Sequence, residues 1–250
     1  MVDTAAYLRR VGYRGTVAPT IETLRQLHRR HLETVPFENL DIPLGRRIEI
    51  EETASVRKVV EGRRGGFCYE LNGAFGALLR ELGFKVTLLS ARVARKDGSE
   101  GPEFDHLALR VDLDEPWLAD VGYGDSFAEP LRLDPGLVQE QDVGAFRLVE
   151  AGESLGMQRR EPDGSWKPEF AFTLVPHAIG DFRARCHFHQ TSPESSFTQK
   201  RICSRLTPEG RITLSELNLI ITTNGHREER MLASEEEWRA ALQKYFGIVL

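Results

Sequence analysis

The sequence predicts an α+β protein, and three observations carry that prediction. Up to Gly83, apolar residues recur every three to four positions, as on the buried face of a helix. After Gly83 the period shortens to two, as in strands with one covered face. The chain then returns to a helical pattern, opened by the capping box Ser234-Glu235-Glu236-Glu237 and stopped at Gly247.

The elements follow in order. Asp3 is placed to cap a helix through Tyr7 and Leu8. Pro19-Thr20 opens a second, with Ile21, Leu24, Leu27, His28, His31 and Leu32 on one stripe. His28 and His31 have metal-ligand spacing but no third ligand nearby, so the expectation is solvated or edge-of-core residues. Val35-Pro36-Phe37-Glu38-Asn39-Leu40 ends that helix, because proline disfavours helix before it, and reads as an apolar loop with one acid. A buried Glu38 needs a partner, and Arg63 or Arg64 is the natural one. Thr53 to Val60 is a further short helix. Then comes Arg63-Arg64-Gly65-Gly66-Phe67-Cys68-Tyr69-Glu70-Leu71-Asn72, followed by Phe75, Leu78, Leu79 and Leu82 on one apolar face. Cys68 therefore sits in the first turn of a helix, where unpaired N–H groups and the dipole favour an anion. A thiol in such a place is shifted toward the reactive thiolate. The alternative reading is a buried structural cysteine.

Beyond Gly83, residues 85–93 are strand-like and 96–99 form a turn. Phe104 to Leu113 alternates, with Leu107, Leu109, Val111 and Leu113 on one side and His106, Ala108, Arg110 and Asp112 on the other. Asp114-Glu115-Pro116 turns the chain into a strand at 117–121, closed by Gly122-Tyr123-Gly124-Asp125. A hairpin centred near 113–114 makes His106 and Asp120 cross-strand neighbours, within reach of a side-chain hydrogen bond. A carboxylate on an imidazole fixes its tautomer and stabilises its charged form. Short strands at 145–149, 156–160 and 169–174, separated by Gly, Pro and Asp turns, read as a small antiparallel barrel or sandwich. Cys186-His187-Phe188-His189 lacks a spaced partner for metal binding, and Thr191-Ser192-Pro193-Glu194-Ser195-Ser196-Phe197 reads as a polar linker. Strands at 202–206, 211–214 and 219–223 precede the last helix, whose inner face is Trp238, Leu242 and Phe246.

Composition sets the function classes. A net charge of −5 over 250 residues, 28% of them charged, argues against a general nucleic-acid binder. No apolar run is long enough to span a membrane. Three cysteines, at 68, 186 and 203, give neither a disulfide framework nor a zinc ribbon. With no signal-peptide or lipidation pattern at Met1-Val2-Asp3-Thr4-Ala5, the expected setting is reducing cytoplasm, where a thiol stays active.

The motifs resemble those of arylamine N-acetyltransferases. The matching stretches are Val35 to Leu40, Arg64 to Asn72, His106-Leu107, Asp120-Val121-Gly122-Tyr123-Gly124 and Ser192 to Phe197, spread over most of the chain in family order. The resemblance implies three domains: a helical bundle at 1–85 with the nucleophile, a β-barrel at 86–190 with the histidine and aspartate, and an α/β lid at 191–250. It implies a cysteine-protease-like triad of Cys68, His106 and Asp120, and ping-pong acetyl transfer from acetyl-CoA to arylamines or hydrazines, with no metal. Phe37, Val93, Tyr123 and Phe127 match positions lining the family's acceptor pocket, and Gly124 and Thr207 match its CoA-binding region more loosely. Many members continue past the last helix with a segment that packs near the cleft, whereas this sequence ends at Gly247-Ile248-Val249-Leu250, so the cover of the cleft is expected to differ.

The chemistry needs these residue types. Exchange of one thioester for another is nearly isoenergetic, so an acyl-cysteine splits one hard aminolysis into two easier steps, with a histidine to move the protons. Three other readings stay open: an amide synthase on a natural product using the same triad, a papain- or transglutaminase-like thiol hydrolase, and a non-enzymatic binding protein that keeps the scaffold.

Overall fold

The computed structural model of the chain describes residues 2–250. Four helices come first: α1 (Thr4–Arg10), α2 (Ile21–Thr34), α3 (Glu52–Val60) and α4 (Cys68–Glu81). Two of their starts follow simple capping chemistry. Asp3 accepts from the Ala6 N–H at 2.9 Å, and Thr20 from the Thr23 N–H at 3.3 Å. The fourth helix departs from the one-sided helix that its leucine spacing predicts: every residue from Cys68 to Leu79 is buried. It packs against α3 and against two strands, β2 (Lys85–Val93) and β3 (His106–Asp112). Burying Leu71, Phe75, Leu78 and Leu79 contributes about 1.5–3 kcal/mol each. Glu70 and Asn72, which would have marked a wet face, are buried too.

After α4 the chain builds an eight-stranded antiparallel sheet. Its further strands are β4 (Pro116–Ala119), β5 (Leu131–Arg132), β6 (Val138–Gln141), β7 (Gly144–Ala151), β8 (Ser154–Arg160) and β9 (Trp166–Phe172), in the order β5-β4-β3-β2-β9-β8-β7-β6. Side-chain amides tie the two edge strands. Gln139 accepts from the Arg132 N–H at 2.7 Å and donates to the Arg132 carbonyl at 3.0 Å. Gln141 accepts from the N–H groups of Ala128 and Glu129 and donates to the Glu129 carbonyl. With its edges joined, the sheet is a nearly closed barrel rather than a sandwich, filled by Leu89, Phe146, Leu148, Met157, Phe170 and Phe172. Within it, β3 pairs Leu109 with Ala119 and Val111 with Trp117 of β4, the register expected from the sequence.

A second antiparallel sheet has the order β1-β10-β11-β12-β13, from β1 (Phe37–Glu38), β10 (Ile202–Thr207), β11 (Gly210–Ser215), β12 (Asn218–Thr223) and β13 (His226–Met231). Residues 35–40 are thus not a free loop. Phe37 pairs with Ser204 and Glu38 with Cys203, and the Asn39 amide donates to the carbonyls of Phe197 and Lys200. The β13 strand was not expected: all six of its residues are exposed, so no alternation marks it. Helix α7 (Glu235–Phe246) lays Trp238, Leu242 and Phe246 against Cys203, Leu214 and Leu219, and Gly247 ends it in the left-handed region at φ 69°.

Two expectations for residues 179–199 are corrected. The chain forms a 3-10 turn (Ile179–Phe182), α5 (Arg183–Thr191) and α6 (Ser196–Gln199) there. Phe182 and Cys186 pack into the core of the N-terminal helices, not into the barrel. The polar stretch 191–197 is no linker: Thr191 ends α5 and the rest packs back on the helices. Ser195 is buried and hydrogen-bonds His189 at 3.0 Å, while Phe197 stands edge-on to Phe67 at 5.6 Å. Among the described residues no helix is long and apolar enough to cross a membrane.

Candidate active site

Cys68 is the first residue of α4 and is 4% exposed. The approach to it needs glycine. A Cβ on Gly65 would lie 1.8 Å from the Pro36 carbonyl oxygen, so only glycine lets residues 36–38 run alongside, where the Glu38 N–H donates to the Gly66 carbonyl at 2.8 Å. Buried charges anchor this crossing. Arg64 donates to Glu38 through Nε at 3.0 Å, and its Nη2 lies 2.8 Å from Glu38 and 3.2 Å from Asp41 in ion-pair contact, while Lys58 meets Glu70 at 2.6 Å and Asp41 at 2.7 Å. Burial works against the Lys58 charge, but Glu70, Glu38 and Asp41 together hold its ammonium above the usual lysine range. Glu70 also accepts from the Phe67 N–H at 3.2 Å, closing the start of α4. Of the two arginines beside the glycines, Arg64 is thus the one paired with the wholly buried Glu38.

His106 opens β3 and Asp120 follows β4, at 3% and 2% exposure. His106 Nε2 lies 2.6 Å from Asp120 Oδ2, which leaves Nδ1 for the thiol. Burial pulls the imidazole down, yet the Asp120 charge and hydrogen bond, with Cys68 adjoining, push it up to about 10. The other carboxylate oxygen, Oδ1, accepts from the Asn72 amide at 2.8 Å and from the Gly122 N–H at 2.9 Å. Asn72 also donates to the Leu107 carbonyl at 2.6 Å and accepts from the Val121 N–H at 2.9 Å. Gly122 lies so close to the cysteine that a Cβ there would be 2.7 Å from Cys68 Cα.

Two residues at the site escaped the sequence reading. Asn72 lies four residues after Cys68, on the same helix face, and that spacing was the available signal. His28 was expected at the solvent or the edge of the core. It is wholly buried, and its ring bonds the Asp120 N–H and the Ala128 carbonyl. His31 is buried too and meets the Tyr7 hydroxyl at 3.0 Å.

The remaining expected residues scatter more widely. Tyr123 stands edge-on to His106 at 5.2 Å, and its hydroxyl donates to Glu169 at 3.0 Å. Val93 pairs with Phe170, whose ring is 5.4 Å from His106. Phe37 is half-buried, facing Phe197 at 6.2 Å and Gly124. Phe127 lies in the barrel core, stacked on His28 at 5.7 Å. Gly124 has φ 96°, and its carbonyl accepts from Arg211 of β11. Thr207 ends β10, opposite Gly210. Of the other thiols, burial pushes Cys186 up to about 12 and Cys203 well above the usual range. Among the described residues no three His, Cys, Asp or Glu side chains are grouped to hold a metal. A groove of about 900 Å³ between residues 42–51 and α5 has no triad residue in its lining.

The arrangement offers a thiol, an imidazole and a carboxylate in one dry cluster. An N-acetyltransferase family model matches residues 20–250. The arylamine N-acetyltransferase of Escherichia coli K12 is 35% identical, over 97% of this chain and 87% of its own. The solved arylamine N-acetyltransferase of Salmonella typhimurium superposes with a TM-score of 0.93 at 34% identity, over 98% of this chain and 90% of that one. That of Mycobacterium marinum in complex with CoA superposes with a TM-score of 0.91 at 33% identity, over 98% and 93%. Matched in sequence and in fold over nearly the whole chain, the protein belongs to the arylamine N-acetyltransferase family.

Proposed function

We propose that the chain transfers acetyl groups from acetyl-CoA to arylamines or arylhydrazines, with Cys68 as nucleophile, His106 as proton carrier and Asp120 as the acid that orients it. The observation that carries this reading is the buried 2.6 Å contact of His106 and Asp120 beside a cysteine at a helix start. An imidazole held charged up to about pH 10 stabilises a thiolate next to it. The thiolate attacks the acetyl-CoA carbonyl, and the CoA sulfur leaves with the proton of His106. The amine then attacks acetyl-Cys68, His106 takes the amine's proton, and Cys68 leaves as thiolate, restoring the ion pair. The Cys68 N–H, at the start of α4, is one donor for the oxyanion.

The CoA complex of the Mycobacterium marinum relative supports CoA as the carrier. Gly124 and Thr207 are proposed for its binding on their motif match alone. Phe37, Val93, Tyr123 and Phe127 are assigned to the acceptor side, where apolar rings suit a flat arylamine and disfavour ordered water. In this reading residues 1–85 supply the nucleophile, 86–190 the histidine and aspartate, and 191–250 a lid. Three free cysteines suit a reducing cytoplasm.

Incubation with acetyl-CoA alone, followed by peptide mass spectrometry, tests the assignment. The acetyl group is expected on Cys68 and on neither Cys186 nor Cys203, and an arylamine is expected to discharge it faster than water does. Equal rates with and without amine would replace transfer with hydrolysis.

A further inference from the structure

Outside the triad, one titratable side chain holds the triad's own loop at both ends. His28 projects from α2 at 0% exposure, and its two ring nitrogens face main-chain groups eight residues apart. Nδ1 lies 2.9 Å from the Ala128 carbonyl oxygen, and Nε2 lies 3.1 Å from the Asp120 amide nitrogen. A carbonyl only accepts and an amide N–H only donates, so one form of the ring serves both: neutral, with the proton on Nδ1. Between those two anchors run Asp120, Gly122, Tyr123, Gly124 and Phe127. The ring is itself fixed, stacked on Phe127 at 5.7 Å and edge-on to Phe75 at 6.1 Å.

We propose that His28 is a positioning residue for the transfer reaction, a neutral imidazole staple that sets the main chain of Asp120 and thereby the Asp120–His106 contact. The proposal rests on the triad reading above. The Asp120 carboxylate is held by His106, Asn72 and the Gly122 N–H, and the peptide after Asp120 by Asn72, which accepts from the Val121 N–H. Those bonds, all from α4 or from the loop and β3 beside it, fix the oxygens and the peptide after Asp120; the staple holds the peptide before it, through the Asp120 N–H, from a different helix. The charged and titratable groups facing His28 are Asp120 and His31, the latter with Arg10 behind it. Burial keeps the ring uncharged by lowering it to about 4, against the pull of the Ala128 carbonyl and of Asp120.

The two bonds separate by substitution. The Asn amide reaches where Nδ1 stands and the Gln amide where Nε2 stands, so His28→Asn keeps a donor to Ala128 and His28→Gln keeps an acceptor for Asp120. Cys68 alkylation by iodoacetamide against pH, which needs no acetyl donor, reports on the His106–thiolate pair, with Asp120→Asn as reference. For folded protein, His28→Gln is expected to keep the native profile. His28→Asn is expected to move it by about one pH unit toward Asp120→Asn and to slow acetyl-Cys68 formation by about tenfold or more. Identical profiles and rates for the two variants overturn the proposal, because a purely structural histidine would cost both of them stability alone. The unmodified protein gives a second readout. A long-range nitrogen–proton spectrum is expected to show His28 neutral and protonated on Nδ1 from pH 5 to 8; protonation in that range, or a proton on Nε2, overturns it. A native enzyme that alkylates at Cys68 but forms no acetyl-Cys68 would instead refute the transferase reading and leave the staple standing.

Discussion

Replacing Gly122 by alanine tests how tightly the acid's loop must approach the nucleophile. A Cβ at that position would stand 2.7 Å from Cys68 Cα, 2.8 Å from Asn72 Nδ2 and 3.1 Å from the Cys68 carbonyl oxygen. Carbon contacts are optimal at about 3.5–4.0 Å, so the loop and the helix must separate by roughly 0.8–1.3 Å. Neither side gives way cheaply: one is backbone in the first turn of a buried helix, and the other is an amide already bonded to Leu107, Asp120 and Val121. A displacement of that size between reacting groups costs on the order of 10²-fold in rate, or about 2.7 kcal/mol of barrier. The assay is single-turnover formation of acetyl-Cys68 under saturating acetyl-CoA, with a thermal melt to verify folding. Gly122→Ala is expected to melt as a folded protein and to acetylate about 10²-fold more slowly. A folded variant within about threefold of the native rate would refute the reasoning, since it would mean that the cleft absorbs the misplacement that close approach is said to forbid.

Asp120→Asn is expected to lower turnover by about 10⁴-fold, because an amide can hold the imidazole in the wrong tautomer, and near-native steady-state rates would remove Asp120 from the triad. Arg64→Ala leaves Glu38 buried with its close arginine partner gone, and urea unfolding is expected to show a loss of about 3–5 kcal/mol; a loss below about 1 would mean that Lys58 alone suffices. The His106 imidazole is raised in the folded state, so its contribution to stability is complete below its unfolded value of about 6.5 and disappears as pH climbs through about 10. Melting midpoints should therefore fall between those limits, more steeply in the native protein than in Asp120→Asn, and parallel curves would show that the pair does not titrate as described.

Much of this site was legible in the sequence because its parts are local. A glycine pair before Cys68 and a helical period after it describe a helix start, and a short turn at 114–116 fixes which residues of two strands meet. Glu38 and Arg64 were legible for another reason: an acid in an apolar stretch must find a partner. The sequence reading failed where tertiary context overrides pattern. Asn72 and His28 look like wet-face residues because polar side chains usually are, and only neighbouring elements supply the main-chain groups that satisfy them. The α5 helix hid behind its charges, since Phe182, Cys186 and His189 are the only buried residues along it and its preceding turn. The exposed β13 edge carries no alternation to read.

The glutamine seam of the barrel has a mechanical consequence. Seven of the eight strand junctions are backbone ladders, from the two residue pairs of β4 with β5 to the seven of β2 with β3; the eighth is a clasp of two side chains. The clasp is five such hydrogen bonds, each worth about 0.5–1.5 kcal/mol net, and all of them are made by the amides of Gln139 and Gln141, so two side chains decide whether the ring is closed there. One jaw of that clasp grips Ala128 and Glu129, the stretch whose carbonyl His28 also holds. A displacement at the clasp therefore reaches the triad loop along the backbone itself, through Ala128.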